Sequence, residues 1–593
     1  MAARDIATVI SPQQEMLRRR LPVVIALLGI IGVTLIGRMV MFQAPTDPRV
    51  TAYVDSVRQA NYATTRRQTS DRGIIYDRTG ERLAVNIVSY RVGISANLVA
   101  DPEKMIQDLS IILGLDPLQL DTIIRSNTSY ALLATNVQPE VWAQLAELKS
   151  VAIVGEAVPS RYYPQGALGG PLMGFVAGAE TGVGFRGYNG VEGNYEDILA
   201  GRTLVSTEST IPLDLPVGES ELEKGSDLVL TIDRDVQFLV EQILAQAIAD
   251  TGASGGTILV MNPNTGDILA MASYPTFDPN NLPLNDARLL RNPAISDTYE
   301  PGSVMKIITM ASALERGAIT PDWVYVDEGS YTVGGRTITN WDQRAHGVVD
   351  AQTVLVDSLN IGTAKIAVEE LESNEFYEMI SAFGFGLLTR VDMQGEAAGI
   401  LRLPGDERWS EADLGANSYG QGMSVTPLQM LNAANAIANG GLLLQPRIVS
   451  QIIHGNDVVT IDPVVIRRVI SERTALQVTE MMVAAVNIGL DESAQLPGYT
   501  IAGKTGTADI PSPVGYVNGA TIATFIGFLP ADEPQVSILV KLDQPKSNPF
   551  ASQTAAPVFR QLAERLVTYL EIPTDAVRME LKAAGGIVRE IRP

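Results

Sequence analysis

The chain has 593 residues, more than one domain of ordinary size holds, so two or more domains are expected. It has no cysteine, which excludes disulfides, thiolate metal sites and cysteine nucleophiles, and only His346 and His454, which leaves a serine-histidine-aspartate triad almost without candidates. A formal net charge of -23, from 44 Lys+Arg against 67 Asp+Glu, argues against nucleic acid as a partner, and neither cofactor nor metal is expected.

Residues 1–20 are polar and end in Arg18-Arg19-Arg20, and 21–42 are apolar apart from Thr34 and Arg38. About twenty such residues cross the hydrocarbon layer, Arg38 near the far end can snorkel, and the arginine cluster keeps its own side cytoplasmic. The reading is an uncleaved anchor with everything after Phe42 outside. A cleaved signal peptide is the rival, but its apolar core is usually shorter and no A-x-A-like site lies near Gln43-Ala44.

Arg66 to Asn86 reads as strand, tight turn, strand, with the turn chemistry in Asp77 to Gly80. From Tyr90 to Val158 short β-rich runs alternate with helical ones, Pro102 to Leu113 and Pro139 to Leu148, and no polar set converges on a site. Ser160-Arg161-Tyr162-Tyr163-Pro164 and Gly190 to Glu196 follow, then a linker near 212–224. A strand over 227–232 and a helix from Asp233 to about Asp250 precede a hairpin, in which 257–262 and 267–272 flank Pro263-Asn264-Thr265-Gly266.

In Tyr299-Glu300-Pro301-Gly302-Ser303-Val304-Met305-Lys306 the proline and glycine stop what precedes, and the apolar run from Ile307 starts a buried helix. Residues three apart share a helix face, so Lys306 lies beside Ser303, and a lysine can take a serine's proton once desolvation or another cation lowers its pKa. Alone this tetrad is weak, since serine-x-x-lysine arises by chance on solvated helix faces. Downstream, however, a helix carries Ser358-Leu359-Asn360, and a strand carries Lys504-Thr505-Gly506-Thr507. Further strands are expected only near the end, at 523–529 and 536–542, before a helix over 552–570 and a short charged tail.

S-x-x-K, S-x-N and K-T-G in that order resemble the penicillin-binding proteins. The Arg72-Gly73 to Ala84 stretch is similar to the motif opening the non-catalytic module of class B members, and Tyr419-Gly420-Gln421-Gly422 with Thr426-Pro427-Leu428-Gln429 resembles their cleft-bordering segment. The resemblance implies an α/β (α+β) architecture: a penicillin-binding/β-lactamase-like transpeptidase domain, an antiparallel sheet covered by helices, over 216–571. An elongated α+β pedestal over 43–215, one transmembrane helix over 21–42, a cytoplasmic tail over 1–20 and a C-terminal tail over 572–593 complete it. The regions around Arg161 and Gly190 are assigned to positioning and partner contact, with a purely structural role as the alternative.

The same resemblance implies the chemistry of a peptidoglycan D,D-transpeptidase. Ser303 is the nucleophile, Lys306 the base made neutral by Lys504, and Ser358 a proton relay. Asn360 binds substrate backbone and braces Lys306. Backbone N–H groups of Ser303 and Thr507 bind the oxyanion, and Thr505, Thr507 and the Lys504 charge hold the terminal carboxylate of an acyl-D-Ala-D-Ala stem peptide or a β-lactam. Gly506 is expected to admit the peptide as an extra strand. The middle motif is Ser-Leu-Asn, not Ser-Asp-Asn, which weakens a class A β-lactamase reading, and no region of glycosyltransferase size precedes the module. The gapless route from Lys504 to Pro530 favours the division branch over elongation, with a membrane glycosyltransferase of the shape, elongation, division and sporulation family and other division proteins as partners. A β-lactam sensor or idle scaffold, and a carboxypeptidase or β-lactamase, are the other readings.

Overall fold

A computed structural model describes residues 12–43, 48–49, 51–53, 63–126, 128–178, 185–201, 203–209, 223–283, 285–512 and 515–584. The chain forms two compact units, one of residues 1–69 and 202–223, the other of 70–201 and 224–593.

In the first unit the helix Pro12–Gln43 contains Arg19–Met41, 23 residues long and apolar enough to cross a membrane. Leucine, isoleucine and valine stand exposed all round it, a surface that water does not stabilise and a bilayer does. Ala63–Thr69 pairs antiparallel with Thr203–Ser209 in the same unit. The expected linker near 212–224 lies outside the described residues apart from its last two positions.

The second unit is organised by an antiparallel sheet of five strands: β1 (Gly255–Met261), β2 (Ile268–Tyr274), β3 (Ala502–Ser512), β4 (Gly515–Leu529) and β5 (Val536–Asp543), in the order β2-β1-β5-β4-β3. β1, β2 and β5 are buried along nearly their whole length because both faces of the sheet are covered. Ile258, Val260, Phe525, Ile538 and Val540 pack on one face against α1 (Arg234–Thr251) and a C-terminal helix, Ala555–Tyr569. Leu259, Met261, Ile526 and Leu539 pack on the other face, in the core that holds α2 (Lys306–Arg316) and α3 (Glu472–Ile488). The hairpin expected around Pro263-Gly266 is β1 and β2, and β3 is left at the sheet edge.

A second sheet crosses the expected pedestal boundary. Ile75–Tyr76 pairs antiparallel with Arg82–Ile94 and parallel with Asp227–Leu230, which in turn pairs with Val449–His454. The turn inside it forms as expected: the buried Asp77 carboxylate accepts from the N–H groups of Thr79 and Glu81, both at 2.8 Å. Under it, Arg161 and Arg72 each donate to Glu192 at 2.7 Å, and all three side chains are buried. That contact favours the structural role for the Arg161 and Gly190 segments, since it ties strand to loop inside the unit.

Three sequence expectations are corrected. Strands are not confined to the ends of the catalytic region, because short pairs such as Val324–Asp327 with Gly347–Asp350, and Leu442–Leu444 with Val465–Arg468, lie between. Ser358 is not on a helix: it sits between Ala351–Val356 and Asn360–Lys365. The segment after Glu571 contains the helix Asp575–Ala583, whose Arg578 is buried against Asp532 and Asp575.

Candidate active site

Ser303 stands on a 3-10 turn, Gly302–Met305, that leads directly into α2. In a 3-10 turn residues i and i+3 eclipse, which stacks Lys306 on the Ser303 side of the helix. Gly302 is required twice over: its φ of 61° suits only glycine without strain, and a Cβ would meet the Thr507 carbonyl at 3.1 Å. Its N–H donates to the Gly420 carbonyl at 3.0 Å, and Tyr299 exchanges two backbone bonds with Val425. The Gly420 to Gln429 segment therefore braces the serine turn, and a capping box of Thr426 and Gln429 starts its helix.

Lys306 is wholly buried. Its Nζ donates to the Ser358 carbonyl at 2.5 Å and to Asn360 Oδ1 at 2.8 Å, and it lies 3.3 Å from Ser358 Oγ. Ser358 can present carbonyl and hydroxyl together because its φ is 54°, a left-handed conformation uncommon outside glycine. Asn360 is itself held by donating to the Thr339 carbonyl at 3.0 Å. Burial first, and the Lys504 charge second, hold the Lys306 amine well below its ordinary pKa. A neutral amine has two N–H bonds and one lone pair; the carbonyl of Ser358 and the amide of Asn360 occupy the two, and the lone pair is left for a hydroxyl.

The third segment arrives on edge strand β3. Lys504 is fully enclosed, with its Nζ 3.5 Å from Asp491 Oδ2 and 3.4 Å from Thr505 Oγ1. Thr505 donates its hydroxyl hydrogen to Asp491 Oδ1 at 2.5 Å and its N–H to Oδ2 at 3.2 Å. The side chain expected to meet a substrate carboxylate is thus engaged with an internal carboxylate. Gly506 has a packing reason of its own: a Cβ there would meet the Pro301 carbonyl at 2.7 Å and the Val304 N at 3.2 Å. Thr507 is half-buried and accepts from the Ala551 N–H at 3.1 Å. The segments carrying Ser303, Ser358 and Lys504 therefore meet.

The motif reading passed over two acidic residues. Asp491 lies 13 positions before Lys504 in no recognised pattern, and only a carboxylate just ahead of a lysine strand hinted at it. Glu300 lies inside the stretch that carries Ser303, accepting from Gly422 N at 3.0 Å and Tyr516 Oη at 3.2 Å, and burial raises its carboxyl pKa.

Residues 256–564 match the family model of the penicillin-binding protein transpeptidase domain, and residues 67–229 that of the penicillin-binding protein dimerisation domain. The chain is a class B penicillin-binding protein. This penicillin-binding protein is 32% identical over 503 residues to stage V sporulation protein D of Bacillus subtilis, covering 82% of this chain and 76% of that one. It is 29% identical over 521 residues to the peptidoglycan D,D-transpeptidase FtsI of Escherichia coli, covering 86% and 85%. Penicillin-binding protein 3 of Mycobacterium tuberculosis, solved in complex with ampicillin, superposes with a TM-score of 0.67 at 29% identity over 86% of this chain and 97% of that one. Membership makes the protein an enzyme, a serine-type peptidoglycan D,D-transpeptidase, and its apolar helix suits a membrane protein.

Proposed function

We propose that Ser303 is the nucleophile and Lys306 its base in an acyl transfer from one stem peptide to another. The observation that carries this is the enclosed Lys306 amine, which leaves the serine turn and ends 2.8 Å from Asn360 Oδ1 and 3.3 Å from Ser358 Oγ. Ser303 Oγ attacks the carbonyl of the penultimate D-alanine as Lys306 takes its proton, and the oxyanion rests on the N–H groups of Ser303 and Thr507. Such donors contribute about 3 kcal/mol each in a transition state. Ser358 passes the proton to the departing D-alanine amine, and an amine of a neighbouring stem peptide then attacks the acyl-serine by the reverse route. Thr507, with its hydroxyl hydrogen to donate, receives the substrate carboxylate; Lys504 acts on it through its field, and Thr505 and Gly506 shape that strand. A fluorescent penicillin forms a stable adduct that Ser303→Ala abolishes; an adduct that survives the substitution refutes the assignment.

We infer further that the protein works at the septum on the outer face of the membrane, with residues 1–20 cytoplasmic, 43–215 as pedestal and 216–571 as catalytic domain. The arginine-rich flank of the apolar helix and the likeness to FtsI support this. A polymerase of the shape, elongation, division and sporulation family is its proposed partner. Fluorescent fusions that line the side wall and avoid the septum contradict the division role.

A further inference from the structure

We propose that Asp491 decides which of the two buried lysines carries the proton: its carboxylate holds Lys504 as the cation, so that Lys306 is the one left free to act as base. This rests on the reading of Lys306 as the proton acceptor. Both side chains of the Lys504 and Asp491 pair are fully enclosed, 3.5 Å apart. An ammonium buried without a counter-ion tends to shed its proton, and one held beside a carboxylate keeps it. Lys504 Nζ, Thr505 N and Thr505 Oγ1 all donate to the Asp491 carboxylate. Among the described residues Lys306 meets neutral acceptors, the Ser358 carbonyl and hydroxyl and the Asn360 amide. When two close amines cannot both stay charged, the one lacking a carboxylate gives way.

The carboxylate is fixed from behind. It follows the end of α3, where its N–H points to the Ala485 carbonyl at 3.4 Å, and its own carbonyl accepts from Ala494 N at 3.0 Å. Among the described residues the titratable groups that face Lys504 are Asp491, at 3.5 Å, and the Lys306 amine from α2, on which the Lys504 charge acts; Glu492, the next residue, is exposed. Asp491 is a positioning residue, since it acts through Lys504 and Thr505.

The test is the pH profile of the second-order rate of acylation by a fluorescent penicillin, on the full-length protein in detergent. Asp491→Asn keeps the shape and an acceptor for Thr505 but removes the charge, so the proton moves onto Lys306. The limb on which the rate rises with pH is expected to move up by about one unit, a roughly tenfold loss of rate on that limb. Asp491→Glu, which restores the charge, moves it back. A profile that only drops in height, with its limbs in place, overturns the proposal.

Should the asparagine variant fail to fold, wild-type protein carrying 13Cε-lysine answers the same question, with Lys504 assigned by the signal lost in Lys504→Arg. Lys504 must remain protonated through neutral pH, and a Lys504 signal that shows the neutral amine there overturns the proposal. Loss of labelling in Ser303→Ala beside an unmoved Asp491→Asn profile refutes this inference alone, whereas labelling that survives Ser303→Ala refutes the nucleophile reading beneath it.

Discussion

The Lys306 amine and the Asn360 amide oxygen lie 2.8 Å apart although 54 positions separate them in the chain. The contact needs the left-handed Ser358 between two short helices, which turns the following Asn360 toward the serine turn. Removing the amine therefore has one direct consequence. Lys306→Ala is expected to slow acylation by about a thousandfold, the typical yield of a general base, while Asn360→Ala costs less because the Ser358 contacts remain. Stopped-flow acylation with a chromogenic β-lactam measures both.

The depressed Lys306 also has a signature in stability. A lysine neutral in the fold but protonated when unfolded costs stability below its ordinary value of 10.5, and the cost shrinks as pH rises toward that value. Lys306→Met removes that cost. Its melting temperature minus the wild-type one is expected to fall from about pH 7 to about pH 10. A difference that stays flat over that range, measured by calorimetry, shows that Lys306 is charged in the fold.

Gly506→Ala places a methyl group 2.7 Å from the Pro301 carbonyl, beneath the serine turn. Both are backbone-fixed, so the turn must shift. Acylation is expected to fall by about a hundredfold, since small displacements of reacting groups are costly, and overpacking is expected to cost about 1 to 3 kcal/mol of stability as well. A variant that acylates at the wild-type rate contradicts the packing described.

Far from the serine, Glu192 is enclosed between Arg161 and Arg72. Burial pushes its carboxyl pKa up, but the two arginines outweigh burial and hold it below the ordinary value. The contribution of this triad is accordingly present above the ordinary carboxylate range and lost as pH falls through the depressed value. Glu192→Ala leaves the buried Arg161 guanidinium without a carboxylate, while Arg72 keeps Glu196 at 2.6 Å, and is expected to cost about 3 to 5 kcal/mol in urea unfolding. Acylation by penicillin of the fraction that remains folded should be unaffected.

The strands and helices around the site were legible because local signals are strong there. Asp233 caps α1 as its position before an apolar helix suggests, and the runs at 257–262 and 536–542 are strands buried on both faces. Lys306 beside Ser303 follows from a spacing of three. Ser358 reads as helical from the sequence because its left-handed backbone has no signature in a Leu-Val-Asp-Ser-Leu-Asn stretch, where no glycine marks the position.

From the order of its residues alone the protein declared a membrane-spanning run, three short motifs and the strands that flank them, since those depend on periodicity and neighbours a few positions away. Folding chose the rest: that strands on either side of position 215 join one sheet, that Glu192 receives Arg72 from 120 positions away, and that Asp491 reaches Lys504. A buried charge must find its counter-ion wherever the packed chain brings one, and that choice is made by proximity in space, which no local pattern encodes.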